Sequence, residues 1–150
     1  AVRQTLAGLV ERKFWVEVVT LLVPGFNDGA AELRALTGFL AELSPDIPWH
    51  VTAFHPDYQM TDPPRTDARA LIEAARIGRQ AGLRFVYAGN LPGAAGDLEN
   101  TRCPGCGALL IARYGFSAHT ICLTPEGACS QCGRPIPGVW RPPMTQSQPE

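Results

Sequence analysis

Apolar residues recur along the chain with two alternating periods. Val2, Leu6, Leu9, Val10 and Phe14 lie on one face at helical spacing, with no start signal before them. The run Trp15–Val23 is β-branched and almost continuously apolar, as expected of a strand covered on both faces. Pro24-Gly25 ends it, and Asn27 or Asp28 is placed to cap a helix over residues 29–43. Leu33, Leu36, Leu40 and Leu43 form that helix's apolar stripe, and Ser44-Pro45 stops it, because proline disfavours helical geometry in the residue before it. The pattern then repeats. Residues 49–54 read as a strand, and Thr66 or Asp67 can cap a helix that runs to Ala81. Its packing face is Leu71, Ala74, Ile77, Gly78 and Ala81, and Gly82 closes it. Residues 84–88 read as a third strand ending at Gly89-Asn90.

Strand, helix, strand, helix, strand at this spacing predicts parallel βαβ units. Three such strands do not close a barrel and leave two unpaired edges, so the pattern reads as half of a larger α/β sheet. Such a half exposes strand faces and edges, and the isolated chain is expected to be poorly soluble or to self-associate. Residues 1–92 form this part, 93–100 a Gly/Pro/Ala linker, 101–140 a small second module, and 141–150 a tail with almost nothing to bury, expected to be disordered.

Composition narrows the function classes. In 150 residues, 45% are hydrophobic and 18% charged, the balance of a globular domain. A net charge of −1 argues against nucleic acid as the main partner, and the 101–150 segment carries only Arg102, Arg113, Arg134 and Arg141 against Glu126 and Glu150. No apolar run approaches membrane-spanning length, and Arg3, Glu11, Arg12 and Lys13 interrupt anything resembling a signal peptide. A cytoplasmic location is the expectation, with no membrane partner.

All five cysteines follow residue 100. Two pairs have metal-ligand spacing: Cys103-Pro104-Gly105-Cys106-Gly107 and Cys129-Ser130-Gln131-Cys132-Gly133. A two-residue gap lets both thiolates of a turn face one ion, and the glycine after each pair allows the positive φ that turns backbone N–H groups toward sulfur. Cys103, Cys106, Cys129 and Cys132 therefore predict a closed structural Zn2+ ribbon, with Leu109–Tyr114 as a strand between the knuckles. Iron in a rubredoxin-like electron-transfer site is the rival, since soft tetrahedral sulfur accepts either metal. Cys122 reads as a small buried hydrophobe, and His119 as a loop histidine outside the completed site.

The ordered runs WVEVVTLLVPGFND, LSPDIPWHVTAFHPDYQMTDPP and GLRFVYAGNLPG, then the CPGCG…CSQCG module ending IPGVW, resemble one family. It is the radical S-adenosylmethionine (SAM) enzyme of the AmmeMemoRadiSam gene system, a relative of pyruvate formate-lyase activating enzymes. The likeness spans about residues 10–140. It implies an α/β fold that is the C-terminal half of a partial (β/α) radical-SAM barrel, three parallel βα units followed by the zinc ribbon. It also implies a 4Fe-4S cluster that cleaves SAM to a 5′-deoxyadenosyl radical in the full-length enzyme. The implied partners are the missing N-terminal half-barrel and a protein substrate or partner from the same gene system.

The family's CxxxCxxC cluster motif is absent, so the chain alone is expected not to cleave SAM. By position, the resemblance makes His55 a candidate SAM contact. Barrel active sites lie at the C-terminal ends of strands, which adds Asn90 as a cofactor candidate and Asp57 and Tyr58 as substrate candidates. Each has a plain alternative: His55 can bond only its own loop, and Asp57 and Asn90 suit ordinary turns. Asn27 and Asp28 read as caps rather than ligands. Glu17 and His50 sit within strands, Glu17 facing the interior and His50 as a satisfied core histidine. The alternative function is a zinc-ribbon scaffold module that binds a protein partner.

Overall fold

The computed structural model of the chain describes residues 1–140; the tail expected to be disordered, 141–150, lies outside the described residues. Helix α1 (Val2–Glu11) leads to strand β1 (Val18–Leu22), helix α2 (Ala30–Leu43), strand β2 (Trp49–Ala53), helix α3 (Ala68–Gln80) and strand β3 (Val86–Gly89). A short 3₁₀ turn (Gly96–Glu99) precedes strands β4 (Thr101–Arg102), β5 (Leu109–Tyr114) and β6 (Ser117–Thr120). Among the described residues no helix is long and apolar enough to cross a membrane.

The expected half of a radical-SAM barrel is not what forms. The architecture is three helices and two small sheets. The first is an open parallel sheet in the order β1-β2-β3, and the second an antiparallel sheet in the order β4-β5-β6. Parallel βαβ patterning is common to open sheets and barrels, so the hydrophobic period carries no information on closure. The path of the chain after β3 decides against barrel units here: it enters a 3₁₀ turn and a β-hairpin module instead of another crossover helix.

The core lies on one face of the parallel sheet. Trp49, Val51 and Ala53 of β2, Val86 and Ala88 of β3 and Leu22 of β1 meet Leu33 and Leu40 of α2 and Leu71, Ala74 and Ile77 of α3. Gly78 is the close-approach point: a Cβ there would sit 2.7 Å from the Trp49 ring. Asp67 caps α3 by accepting from the Ala70 N–H at 2.8 Å. Buried Thr66 ties the strand ends together, accepting from the Phe54 N–H at 2.9 Å and donating to the Leu22 carbonyl.

Two local expectations are corrected. Asn27 and Asp28 do not cap α2, whose N-cap is Gly29 without a side-chain bond. Asn27 instead accepts from the Val23 N–H at 2.7 Å and donates to the Leu21 carbonyl, while Asp28 accepts from the Gly25 N–H; both brace the loop after β1. Strand β1 is covered on one face only: Val19 and Leu21 are 66% and 46% exposed on the side away from the helices. The segment 93–100, read as a linker, adds Ala95 and Leu98 to the helix-side core.

Candidate metal centre and adjoining cleft

In the C-terminal module, β5 pairs with both β4 and β6, and the two knuckles fold onto the end of this sheet. The Cys103 carbonyl accepts from the Gly107 N–H at 2.9 Å, and the Cys129 carbonyl from the Gly133 N–H at 2.8 Å. Gly107 and Gly133 hold φ of 76° and 73°, where a side chain is strained. These turns bring four sulfurs together: Cys103, Cys106, Cys129 and Cys132 lie with all Sγ atoms within 4.8 Å of one another. Two Sγ–Sγ distances are 3.6 Å (Cys103 to Cys132) and 3.7 Å (Cys106 to Cys129). A tetrahedral ion with metal–sulfur bonds of about 2.3 Å sets its sulfurs about 3.8 Å apart, so the four thiols fit one metal ion.

The electrostatics give the same answer. Burial opposes ionisation of Cys103, but N–H groups of Cys106 and Gly105 and the neighbouring thiols outweigh it and bring the thiol down to about 7. Cys106 has the Ala108 N–H to favour its thiolate, yet burial and the thiols of Cys132, Cys103 and Cys129 push it up to about 12. Cys103 thus ionises more readily than Cys106, and a bound cation would favour the thiolate of both. Cys122 is half-buried beside the cluster, accepting from the Gln131 side chain at 3.6 Å, and is not one of the four. His119, read as a loop residue, is exposed on β6 opposite Ala112.

The ribbon also packs on the parallel sheet. Phe85, just before β3, and Tyr87, within it, join the ribbon's small core of Cys103, Leu110, Cys129 and Ile136. The face involved is the one opposite the helices. Strand alternation puts Glu17, His50 and Tyr87 on it, with His50 registered against both Val19 and Tyr87. The Glu17 carboxylate receives the Trp15 indole N–H on one oxygen and His50 Nε2 on the other, each at 2.9 Å. A carboxylate can only accept, so Nε2 carries the proton and a neutral His50 keeps Nδ1 as an acceptor. The imidazole stacks on Tyr87 with centroids 5.0 Å apart.

From Tyr87 the network crosses to the ribbon. The Tyr87 hydroxyl bonds Thr101 Oγ1 at 2.9 Å, and Arg113 donates to the same oxygen at 2.5 Å. The Arg113 guanidinium stands over the Tyr87 ring, 5.4 Å from its centre. Burial pushes the Tyr87 hydroxyl up, against the pull of Thr101 and Arg113. Two clefts of about 260 and 240 Å3 flank this stack and share His50, Tyr87 and Arg113.

The residues singled out in the sequence are more dispersed. Asn90 lines the second cleft and donates to the Ala53 carbonyl at 3.3 Å. Its φ of 63° is one that asparagine tolerates. His55 is exposed two residues past β2. Asp57 accepts from the Tyr58 N–H at 2.7 Å in a solvent-facing turn, and Tyr58 is 86% exposed. Neither these two nor His55 lines the clefts. His50, read as a satisfied core residue, is half-exposed on the cleft wall with Glu17. The signal available for Glu17, His50 and Tyr87 was a residue with a polar group in each of three mostly apolar runs. Thr101 and Arg113 carried none.

Over 124 residues the chain is 46% identical to the uncharacterized protein MJ0808 of Methanocaldococcus jannaschii, a stretch covering 81% of this chain and 37% of that protein. The chain thus spans little more than a third of the length of the curated relative it matches. No family model and no solved structure matches it.

Proposed function

We propose that this chain is the C-terminal section of a radical SAM enzyme, carrying a structural zinc ribbon against its parallel sheet. The observation that carries the reading is the ordered series of motifs from Trp15 to Trp140, including the CPGCG and CSQCG knuckles. Similarity to a relative of which the matched stretch is only 37% supports a longer protein. A reduced thiolate site is at home in the cytoplasm.

The cysteines here do not fit the redox cluster. They lack its spacing, and all four clustered sulfurs are committed to one another. No step of SAM cleavage is therefore assigned to this chain's residues. Its contribution is binding and shape: His55 and Asn90 as SAM contacts, Asp57 and Tyr58 toward a substrate, which includes a protein from the same gene system. Zinc is the proposed ribbon metal because four thiolates in a closed tetrahedron are its usual structural set.

The test uses the full-length protein, reconstituted anaerobically with iron and sulfide and then reduced. It is expected to release 5′-deoxyadenosine from SAM, whereas this chain alone releases none. A full-length protein that assembles no cluster and leaves SAM intact would overturn the reading. Elemental analysis separates the metals: a colourless protein with stoichiometric zinc supports the ribbon, and a red protein with a visible charge-transfer band makes it a rubredoxin-like iron site.

One observation favours the second reading, a ribbon that docks a protein partner. Phe116 stands fully exposed at the tip of the β5–β6 turn, beside exposed Tyr114. On that reading Phe116→Asp abolishes co-purification of a partner while metal content is unchanged.

A further inference from the structure

The two clefts between the ribbon and the parallel sheet are built from both modules and converge on one cation. Arg113 of β5 is half-buried, and among the described residues it forms no ion pair. Its bonds at Nη1 are to neutral groups, the Thr101 hydroxyl and the Glu99 carbonyl. A half-buried guanidinium without a carboxylate leaves strong, directional donors for an anion.

The carboxylates on the cleft walls are already engaged. Both oxygens of Glu17 are occupied, by the Trp15 indole N–H and by His50 Nε2. Glu99, on the second cleft, accepts from the Gly93 and Gly115 N–H groups. Two carboxylates nearby oppose any anion, and a dianion twice as strongly, so the single guanidinium is set against no more than one carboxylate. Besides its polar groups, the first cleft is lined by apolar and aromatic side chains, among them Phe85, Ile111 and Trp140. About 260 Å3 suits a small molecule.

We propose that this junction binds a small monocarboxylate with an apolar body, its carboxylate on Arg113 and its body among the aromatic side chains of the first cleft. His50 Nδ1 is the acceptor available to a hydroxyl or amino group on the same ligand. The proposal goes beyond the radical SAM reading and does not depend on it, since no cluster or SAM enters the argument. It also gives the ribbon a second role, because Thr101 and Arg113 come from the ribbon while Glu17, His50 and Tyr87 come from the parallel sheet.

The chain offers its own reporters. Of its three tryptophans, Trp15 and Trp140 line the first cleft, while Trp49 is buried on the opposite, helix-covered face with its indole N–H on Thr20. The metal-loaded, 15N-labelled chain is titrated with butyrate, hexanoate, benzoate and indole-3-acetate, each beside its uncharged amide. At least one carboxylate is expected to shift the Trp15 and Trp140 indole signals in a saturable way and leave Trp49 in place, with its amide binding about tenfold more weakly.

Arg113→Gln is expected to lose about tenfold in affinity, and Arg113→Lys to keep part of it. Glu17→Gln moves the other way, tightening binding about twofold as a like charge is removed. Unchanged metal content shows that the ribbon of each variant is folded and an unmoved Trp49 signal that its sheet is, and Arg102→Gln, outside the cleft, is the neutral control. Equal binding of acids and amides, undiminished binding by folded Arg113→Gln, or no saturable shift with any of the four acids overturns the proposal. Because the readout is binding to the chain alone, failure here leaves the SAM-cleavage test untouched.

Discussion

The helix-covered face of the parallel sheet and the ribbon hold themselves together in different ways. On the sheet, large side chains from five elements interlock, and Trp49, Leu40, Leu71 and Val51 are fully buried without any ligand. In the ribbon the buried set is Cys103, Leu110, Cys129 and Ile136, completed by Phe85 from the sheet. Two of its own four are thiols of the four-cysteine cluster. Where enough apolar surface can be buried, packing carries the fold; where it cannot, a metal held by the four thiols would supply the missing free energy, and the small module also leans on its larger neighbour.

The widest separation between the regions comes from removing the metal. Chelation or Cys129→Ser should cost the ribbon on the order of 10 kcal/mol, and acid should do the same because the ligands must be thiolates. Hydrogen exchange is the check: residues 101–140 lose protection while β2 and α3 keep theirs. Equal loss in both would show that the sheet's packing is not self-sufficient.

Trp49→Ala is the reciprocal experiment. It opens a cavity in the larger core and should cost about 3–5 kcal/mol in denaturant unfolding, with metal stoichiometry unchanged. Gly78→Ala sharpens the same point with a sign. An exposed helix position would gain about 1 kcal/mol from this change. Here the new methyl meets the Trp49 ring, and a loss of about 1–3 kcal/mol is expected instead.

Thr66→Val should fall in a similar or smaller range, about 1–3 kcal/mol, because the buried Phe54 N–H is left without its acceptor. Asp67→Ala removes only the α3 cap and should cost about 1 kcal/mol. For both, a metal-dependent change in stability would contradict the division between the regions.

The amino-acid sequence by itself determined the local elements and the four-cysteine cluster. Apolar period and stop signals placed α2, β2 and α3 within a residue or two of where they form, and Asp67 caps α3 as its position before the apolar run implied. The knuckles were legible because their chemistry is local: two residues of spacing and one glycine determine each half of the cluster. Asn27 and Asp28 were misread because their side chains can satisfy either a helix start or their own loop, and spacing does not distinguish the two.

Tertiary structure decided three things. Barrel or open sheet depends on what meets the second face and edges of β1 to β3, and those partners are distant in sequence. The exposure of Val19 and Leu21 depends on how far the ribbon reaches across the sheet. The assembly of Glu17, His50, Tyr87, Thr101 and Arg113 depends on strand register and on one module docking against another. Hydrophobic period reports which face of an element is apolar and not what lies against the other face, so the cleft existed only once the chain had folded.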